Sequence, residues 1–273
     1  MHALIDGDLL PYEFGGLKVK DDSPHHFWGA KLKTGDPVPF EMCWAALQNR
    51  IDSILQAVGA TSYKIYLSSS EIKTWRYEAA TILPYKGNRE GSEKPVHFQN
   101  LRTNMINVYD CDVVEFMEAD DAISIAQHEA VRKRGVMDSH TVICTRDKDL
   151  KMIPGWHYSW PTGRSPEKPL WQQTSTEGLK CFYKQLLTGD KVDNILGLYG
   201  VGAKSTHCKA IDGFEDELTM LNYVWDRYRE RFGSYAEKFL KENGQLLWML
   251  TESDEKWCPV ELKQKLEEEY GRV

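Results

Sequence analysis

Short apolar runs alternate along the first half of the chain with longer stretches of helical spacing. Ala3-Leu4-Ile5 predicts a short buried strand that stops at Asp6 and is followed by a glycine turn. Met42, Ala45, Ala46, Ile51, Ile54, Leu55 and Val58 recur near helical spacing, which predicts a helix over 40–58 after a polar, proline-containing loop at 21–39. Further strands are predicted for YKIYL at 63–67, VVEFM at 113–117 and TVICT at 141–145, with a helix running from Glu118 through Ala130. Such alternation predicts an α/β domain built on a mostly parallel sheet. From 151 to 171 the prolines and tryptophans predict a loop-rich or short-stranded connection. Helices are expected over 176–187 and 203–211, and amphipathic helical patterns continue beyond Glu215.

Acids follow the strands at once. Asp6 closes the first, Glu118-Ala-Asp120-Asp121 follows the third, and Arg146-Asp147-Lys-Asp149 follows the fourth. Parallel strands end on one edge of a sheet, so these carboxylates can converge on a single crevice. Helix capping accounts for some acid at 118–121, but three carboxylates within four positions repel one another unless cations neutralise them. Asp190 and Asp193 stand just after a predicted helix, where its dipole disfavours negative charge. A set of carboxylates without His or Cys suits hard cations, Mg²⁺ or Mn²⁺. Two such ions about 4 Å apart suit phosphodiester hydrolysis.

The segment GLYGVGAKS at 197–205 follows GDKVDN after Ile195-Leu196 and has the form of a helix-hairpin-helix turn. Gly200 and Gly202 let the backbone approach a phosphate, Lys204 adds charge, and contacts of this kind carry no base specificity. Between 71 and 102, Lys73, Arg76, Lys86, Arg89, Lys94 and Arg102 interleave with Trp75, Tyr77 and Tyr85, a mixture suited to single-stranded nucleic acid. A solvated excursion is the plain alternative, since Glu71, Glu78, Glu90 and Glu93 offset much of that charge.

A length of 273 residues allows a full hydrophobic core. The net charge of −7 opposes a nucleic-acid partner unless clustered acids hold divalent cations, which reverse the local field. The six cysteines include no C-x-x-C pair and no zinc-finger spacing, so reduced structural thiols are expected. No secretory signal and no membrane-spanning run is legible, which predicts a cytoplasmic protein.

Four blocks together resemble the 5′ nucleases, the family of flap endonucleases, polymerase I 5′-nuclease domains and phage 5′-to-3′ exonucleases. They are Ile5-Asp6-Gly7, Glu118-Ala-Asp-Asp121, Thr145-Arg-Asp-Lys-Asp149 and GDKVDNILGLYGVG at 189–202, and Tyr85-Lys-Gly-Asn-Arg89 is similar to the family's arch entrance. The resemblance implies an α/β PIN-like core over 1–175 with a helical arch at about 71–102. A helix-hairpin-helix region with C-terminal helices would occupy 176–273. It implies a stand-alone, monomeric, phage-type enzyme of replication or primer removal that cuts DNA near a 5′ end or 5′ flap, with RNA:DNA hybrids as a further substrate. Its cofactors would be two Mg²⁺, replaceable by Mn²⁺, with K⁺ at the hairpin. By position, Asp6, Glu118, Asp120 and Asp121 would form one metal cluster, and Asp147, Asp149, Asp190 and Asp193 the other. Lys86 would stabilise the scissile phosphate with Arg89 nearby, and Tyr85, Gly200, Gly202, Lys204 and Ser205 would contact DNA.

One departure stands out. Where the family carries an aspartate after its second strand this chain reads Leu67-Ser-Ser-Ser70, with Glu71 as the nearest substitute, while Asp8 has no assigned role. Two other readings compete. Asp6-Gly-Asp8 resembles the D-x-D of phosphatases with an aspartyl nucleophile, and the hairpin alone would suit a non-catalytic DNA-binding module.

Overall fold

The structure, a computed structural model, describes residues 1–20, 26–27, 30–31, 33–89, 91–136, 138–162, 165–253 and 255–270. Parts of the loop expected at 21–39 therefore lie outside the described residues. Strand β1 (His2–Asp6) leads through α1 (Leu9–Phe14) and a small pair, β2 (His26–Phe27) and β3 (Ala30–Lys31), to α2 (Phe40–Ala57) and β4 (Ser62–Ser68). A strap over 69–97 follows, in which the described residues hold α3 (Arg76–Ala79) and a 3₁₀ turn at Gly87–Arg89. Then come α4 (Phe98–Val108), β5 (Cys111–Val114), α5 (Ala119–Arg134) and β6 (Thr141–Cys144). Strands β7 (Gly155–Ser159) and β8 (Lys168–Gln173) precede α6 (Ser175–Thr188) and the short ladder of β9 (Gly189–Asp190) with β10 (Ile195–Leu196). Four helices close the chain: α7 (Thr206–Asp212), α8 (Glu217–Phe232), α9 (Ala236–Leu247) and α10 (Pro259–Tyr270).

The main sheet runs β5-β4-β1-β6-β7-β8, parallel throughout except for β8, which pairs antiparallel with β7. Alternation along β1 explains how the sheet is covered on both faces. Ala3 and Ile5 pack with Leu47, Ile51 and Ile54 of α2 and with Leu101 and Met105 of α4, whereas Leu4 packs with Ile123 of α5 and Phe182 and Leu186 of α6. Each such side chain, fully buried, contributes about 1.5–3 kcal/mol. The cluster around Leu4 continues through α8 and α9 to Leu266, so segments on either side of position 175 share one core. From β1 the chain builds outward to β4 and β5, then crosses back to place β6 on the other side. The crevice at that crossover opens beyond the carboxyl ends of β1, β4 and β6.

The elements depart from expectation in three places. The strand expected at 113–117 lies at Cys111–Val114, because Phe116 adopts φ +62° and its carbonyl accepts the Trp75 N–H at 2.9 Å, binding the strap and ending the ladder. The segment expected as a helical arch is mostly non-helical, interrupted by Pro84 and Pro95. The helix expected from 203 begins at Thr206, where the Ser205 hydroxyl caps it by accepting the Cys208 N–H at 3.2 Å. Among the described residues no helix is long and apolar enough to cross a membrane.

Candidate metal centre

Seven of the eight predicted acids, Asp6, Glu118, Asp120, Asp147, Asp149, Asp190 and Asp193, line one cleft of about 820 Å³ at that crossover. Asp6 ends β1 and is 2% exposed. Thr145, just beyond β6, donates its hydroxyl to Asp6 Oδ2 at 2.8 Å and accepts the Asp147 N–H at 2.9 Å. Asp147 Oδ1 in turn accepts the Asp149 N–H at 2.8 Å. The turn after β6 is thus folded by its own acids, and it faces Asp120 in the first turn of α5.

Asp6, Asp120 and Asp147 form no ion pair among the described residues. The crowding is plain in the acidity of Asp6 and Asp120. Burial and then the charge of Asp8 push Asp6 up to about 8. Burial, then Asp6 and Asp147, push Asp120 well above the carboxylate range. Asp149, which accepts a hydrogen bond from Gln185, is pushed to about 7 by burial and Asp147.

The other acids are held by cations. Glu118 accepts from Lys86 Nζ at 2.5 Å and Tyr85 Oη at 3.0 Å; Asp193 accepts from Arg89 Nη2 at 2.5 Å and from the same Tyr85 hydroxyl at 3.0 Å. Asp190 accepts from Lys148 Nζ and from the Val192 N–H, both at 2.7 Å. Burial alone would raise Glu118 and Asp190, but it is outweighed at Glu118 by Lys86, Arg76 and Tyr85 together and at Asp190 by Lys148 with the Val192 and Asp193 N–H groups, so both carboxyls titrate below their usual range. The strap is fixed to this wall through backbone groups. Lys86 N–H bonds the Asp193 carbonyl at 2.9 Å, Asn88 Nδ2 the Lys191 carbonyl at 2.5 Å, and Asn194 Nδ2 the Pro84 carbonyl at 2.9 Å. Lys86 is held at φ +55°, a conformation costly for a side-chain-bearing residue and kept here by those bonds.

Three expectations need correction. Asp121 does not join the cluster: it is fully buried, and Arg76, itself 1% exposed, grips it through Nη1 at 2.5 Å and Nη2 at 2.8 Å. Asp121 also accepts the N–H groups of Glu118 and Leu250, so it is a cap and an anchor for the C-terminal helices. Arg76 and Arg102, read as nucleic-acid contacts, are buried against protein acceptors, because each finds a carboxylate and carbonyls far away in sequence. Tyr85, expected on the DNA face, is 4% exposed and bridges two acids instead. The residues missed were Asp8 and Ser68, which meet in the cleft, and Lys148; the one available signal was that Asp8 lies two residues from Asp6, just beyond the same strand end.

Beyond Asp193 the chain makes a tight double crossing. A Cβ on Gly189 would lie 2.2 Å from Gly197 N, and one on Gly197 would lie 2.1 Å from the Thr188 carbonyl carbon, so only glycines permit the approach. Gly200 (φ +78°) and Gly202 then form an open turn with nothing near a virtual Cβ, and Tyr199 beside them is 87% exposed. The sequence-predicted Lys204 and Ser205 complete the turn, Ser205 as the cap of α7.

The bacteriophage T5 flap endonuclease, solved in a pseudo-enzyme-product complex with DNA and metal ions, superposes with a TM-score of 0.51 at 16% identity, over 90% of this chain and 98% of that one. The chain has the fold of the T5 flap endonuclease. The T5 5′-exonuclease with bound zinc ions gives a TM-score of 0.48 at 15% identity, over 91% of this chain and all of that one. No family model and no curated protein matches the chain.

Within this fold the donor chemistry of the cleft fits hard divalent cations. Every acidic donor is a carboxylate oxygen, and three of the acids have no counter-charge. Among the described residues no three His, Cys, Asp or Glu side chains are already drawn together at metal-holding distance. Repulsion spreads the unpaired acids, and Lys86, Arg89 and Lys148 occupy the oxygens of the others.

Proposed function

We propose that the protein is a metal-dependent 5′ nuclease that hydrolyses phosphodiester bonds near the 5′ end or 5′ flap of duplex DNA. The observation that carries this reading is the convergence of seven carboxylates from four separate chain segments on one oxygen-only cleft in a 5′-nuclease fold. Asp6, Glu118, Asp120 and Asp147 would hold one divalent cation, and Asp149, Asp190 and Asp193 would complete a second site with Asp147. Mg²⁺ is the expected ion, with Mn²⁺ able to replace it. When bound, the cations supply activation of water and neutralisation of the charge that builds on the phosphate.

The protein's own groups do the rest. Lys86 and Arg89, which here pair with Glu118 and Asp193, sit at the rim where the phosphate must enter and offset its charge in the transition state. Tyr85 keeps Glu118 and Asp193 at a fixed separation. The open turn from Gly200 to Ser205 would dock the duplex backbone, with Lys204 adding charge and K⁺ as a further candidate ligand there. Because Gly189 and Gly197 lock that turn to Asp190, duplex position and cutting position are set together, without reading bases.

The test uses 5′-labelled duplex, 5′-flap DNA and an RNA:DNA hybrid, with Mg²⁺, with EDTA, and with an Asp147→Ala variant. Cleavage near the 5′ end only with Mg²⁺, and lost in the variant, is the expected result. Intact DNA with retained binding would leave a non-catalytic DNA-binding module, and hydrolysis of a small phosphomonoester in its place would favour an aspartyl phosphatase acting through Asp6.

A further inference from the structure

Asp8 and Ser68 stand where the chain departs from the 5′-nuclease pattern. Strands β1 and β4 run parallel with Asp6 opposite Tyr66, where β1 ends. Gly7 still bonds the Tyr66 carbonyl through its N–H at 2.9 Å, and an added Cβ there would stand 2.6 Å from Ile65 Cγ2 and 2.8 Å from Leu67 Cδ2. Asp8 follows in helical conformation as the N-cap of α1, against Ser68 at the end of β4, and Asp6, Asp8 and Ser68 all line the cleft. Asp8 Oδ2 accepts the Ser68 hydroxyl at 2.5 Å and Oδ1 accepts the Ser68 N–H at 3.1 Å. The same Ser68 oxygen accepts the Ala119 N–H at 2.9 Å, which ties Asp8 to the helix start that carries Glu118 and Asp120. Glu71, the nearest acid in sequence, is exposed and lies beyond the strand in the 69–72 turn, where Ser69 Oγ accepts its N–H.

Building on the metal-dependent reading above, we propose that Asp8 is a metal ligand of this cleft. Projecting from the start of α1, just beyond β1, it supplies the carboxylate that an aspartate at position 68 would otherwise supply from the end of β4. A carboxylate rooted at either position reaches the same place, because the two side chains already meet, Ser68 Oγ on Asp8 Oδ2. Ser68 holds the relocated group in orientation, and Arg102 Nη1, 3.3 Å from Asp8 Oδ1, balances its charge in the absence of a cation. The competing role is a brace, in which Asp8 serves only to hold Ser68 and Arg102.

Mn²⁺ binding to the full chain, followed by electron paramagnetic resonance without nucleic acid, separates these roles. Asp8→Asn keeps an oxygen for the Ser68 donors but loses the charge. Its Mn²⁺ affinity at the cleft is expected to fall about tenfold or more. The exchange variant Asp8→Ser with Ser68→Asp is expected to return to within about threefold of wild type, on the same ligand-charge argument. Unchanged affinity in Asp8→Asn, or an exchange variant that stays weak, overturns the proposal and leaves Asp8 a brace. Thermal unfolding is followed in parallel, and the exchange variant decides the matter if Asp8→Asn does not fold. A wild-type protein that binds no Mn²⁺ is a different outcome: it defeats the metal reading itself and this inference with it.

Discussion

The cleft has two walls that carry the same functional group and treat it in opposite ways. On the wall built from β1, α5 and the turn after β6, Asp6, Asp120 and Asp147 are crowded without a counter-charge, and Asp6 and Asp120 are pushed up in pKa. Opposite, where the strap and the loop after α6 close against the N-cap of α5, Glu118, Asp190 and Asp193 each meet a lysine or arginine. Deeper still, Asp121 shows the extreme of the second treatment, dry and gripped by Arg76. The lesson is that an acid with a built-in cation serves the fold or waits in reserve, whereas an acid left without one marks where charge must come from outside.

The sharpest break would come at Asp121. Arg76→Met leaves a buried carboxylate uncompensated and is expected to cost about 3–5 kcal/mol of stability in chemical denaturation, with Arg76→Met plus Asp121→Leu recovering most of it. On the unpaired wall the sign reverses. Asp120→Asn is expected to reduce cleavage about 10²–10³-fold, or ~3–4 kcal/mol of barrier, while raising the stability of the metal-free protein by about 1 kcal/mol. If the metal-free variant melts lower than wild type, the two-wall comparison fails. Lys86→Met is expected to slow turnover about 100-fold, and Lys86→Arg to restore part of it with KM little changed.

A pH series in EDTA sharpens the same contrast. Asp6 and Asp149 have raised folded-state values, about 8 and about 7, so the metal-free protein gains stability as pH falls through those values towards the unfolded carboxylate range. His157, buried, stacked on Trp171 and lowered to about 4 chiefly by burial, acts the other way. Its contribution is full above the unfolded value near 6.5 and is lost as pH falls towards 4. Two acids oppose one histidine, so the metal-free protein is expected to gain stability as pH falls from about 8, more gently below about 6.5 where His157 begins to offset them, and Asp6→Asn or saturating Mg²⁺ should flatten the change. The smallest effect belongs to Lys204→Ala, which should lower the slope of log affinity against log salt by about one.

Much of this was legible in sequence because the informative residues are neighbours of strong local patterns. An acid that ends a β-branched strand declares both its element and its edge, and so Asp6, Asp147 and Asp149 were found with β1 and β6. Direction around a helix was harder. Glu118, Asp120 and Asp121 read alike, yet on the first turn of α5 two face the cleft and the third faces the core. The residue that decides it, Arg76, lies in another segment. The basic strap misled for the same reason, since Arg76 and Arg102 are solvated charges in the sequence and buried partners in the fold. The part of Asp8 was hidden because its partner Ser68 is met only across the sheet, which requires knowing that β4 lies beside β1.

Tyr85 carries a consequence about stoichiometry. Its hydroxyl has one hydrogen but stands 3.0 Å from a carboxylate oxygen on each side. Two acids on separate segments therefore share a single hydrogen, each with its own cation alongside, Lys86 at Glu118 and Arg89 at Asp193. A cation taken up by either acid leaves that hydrogen to the other, so the two halves of the cleft are linked through one hydroxyl that Tyr85→Phe would remove.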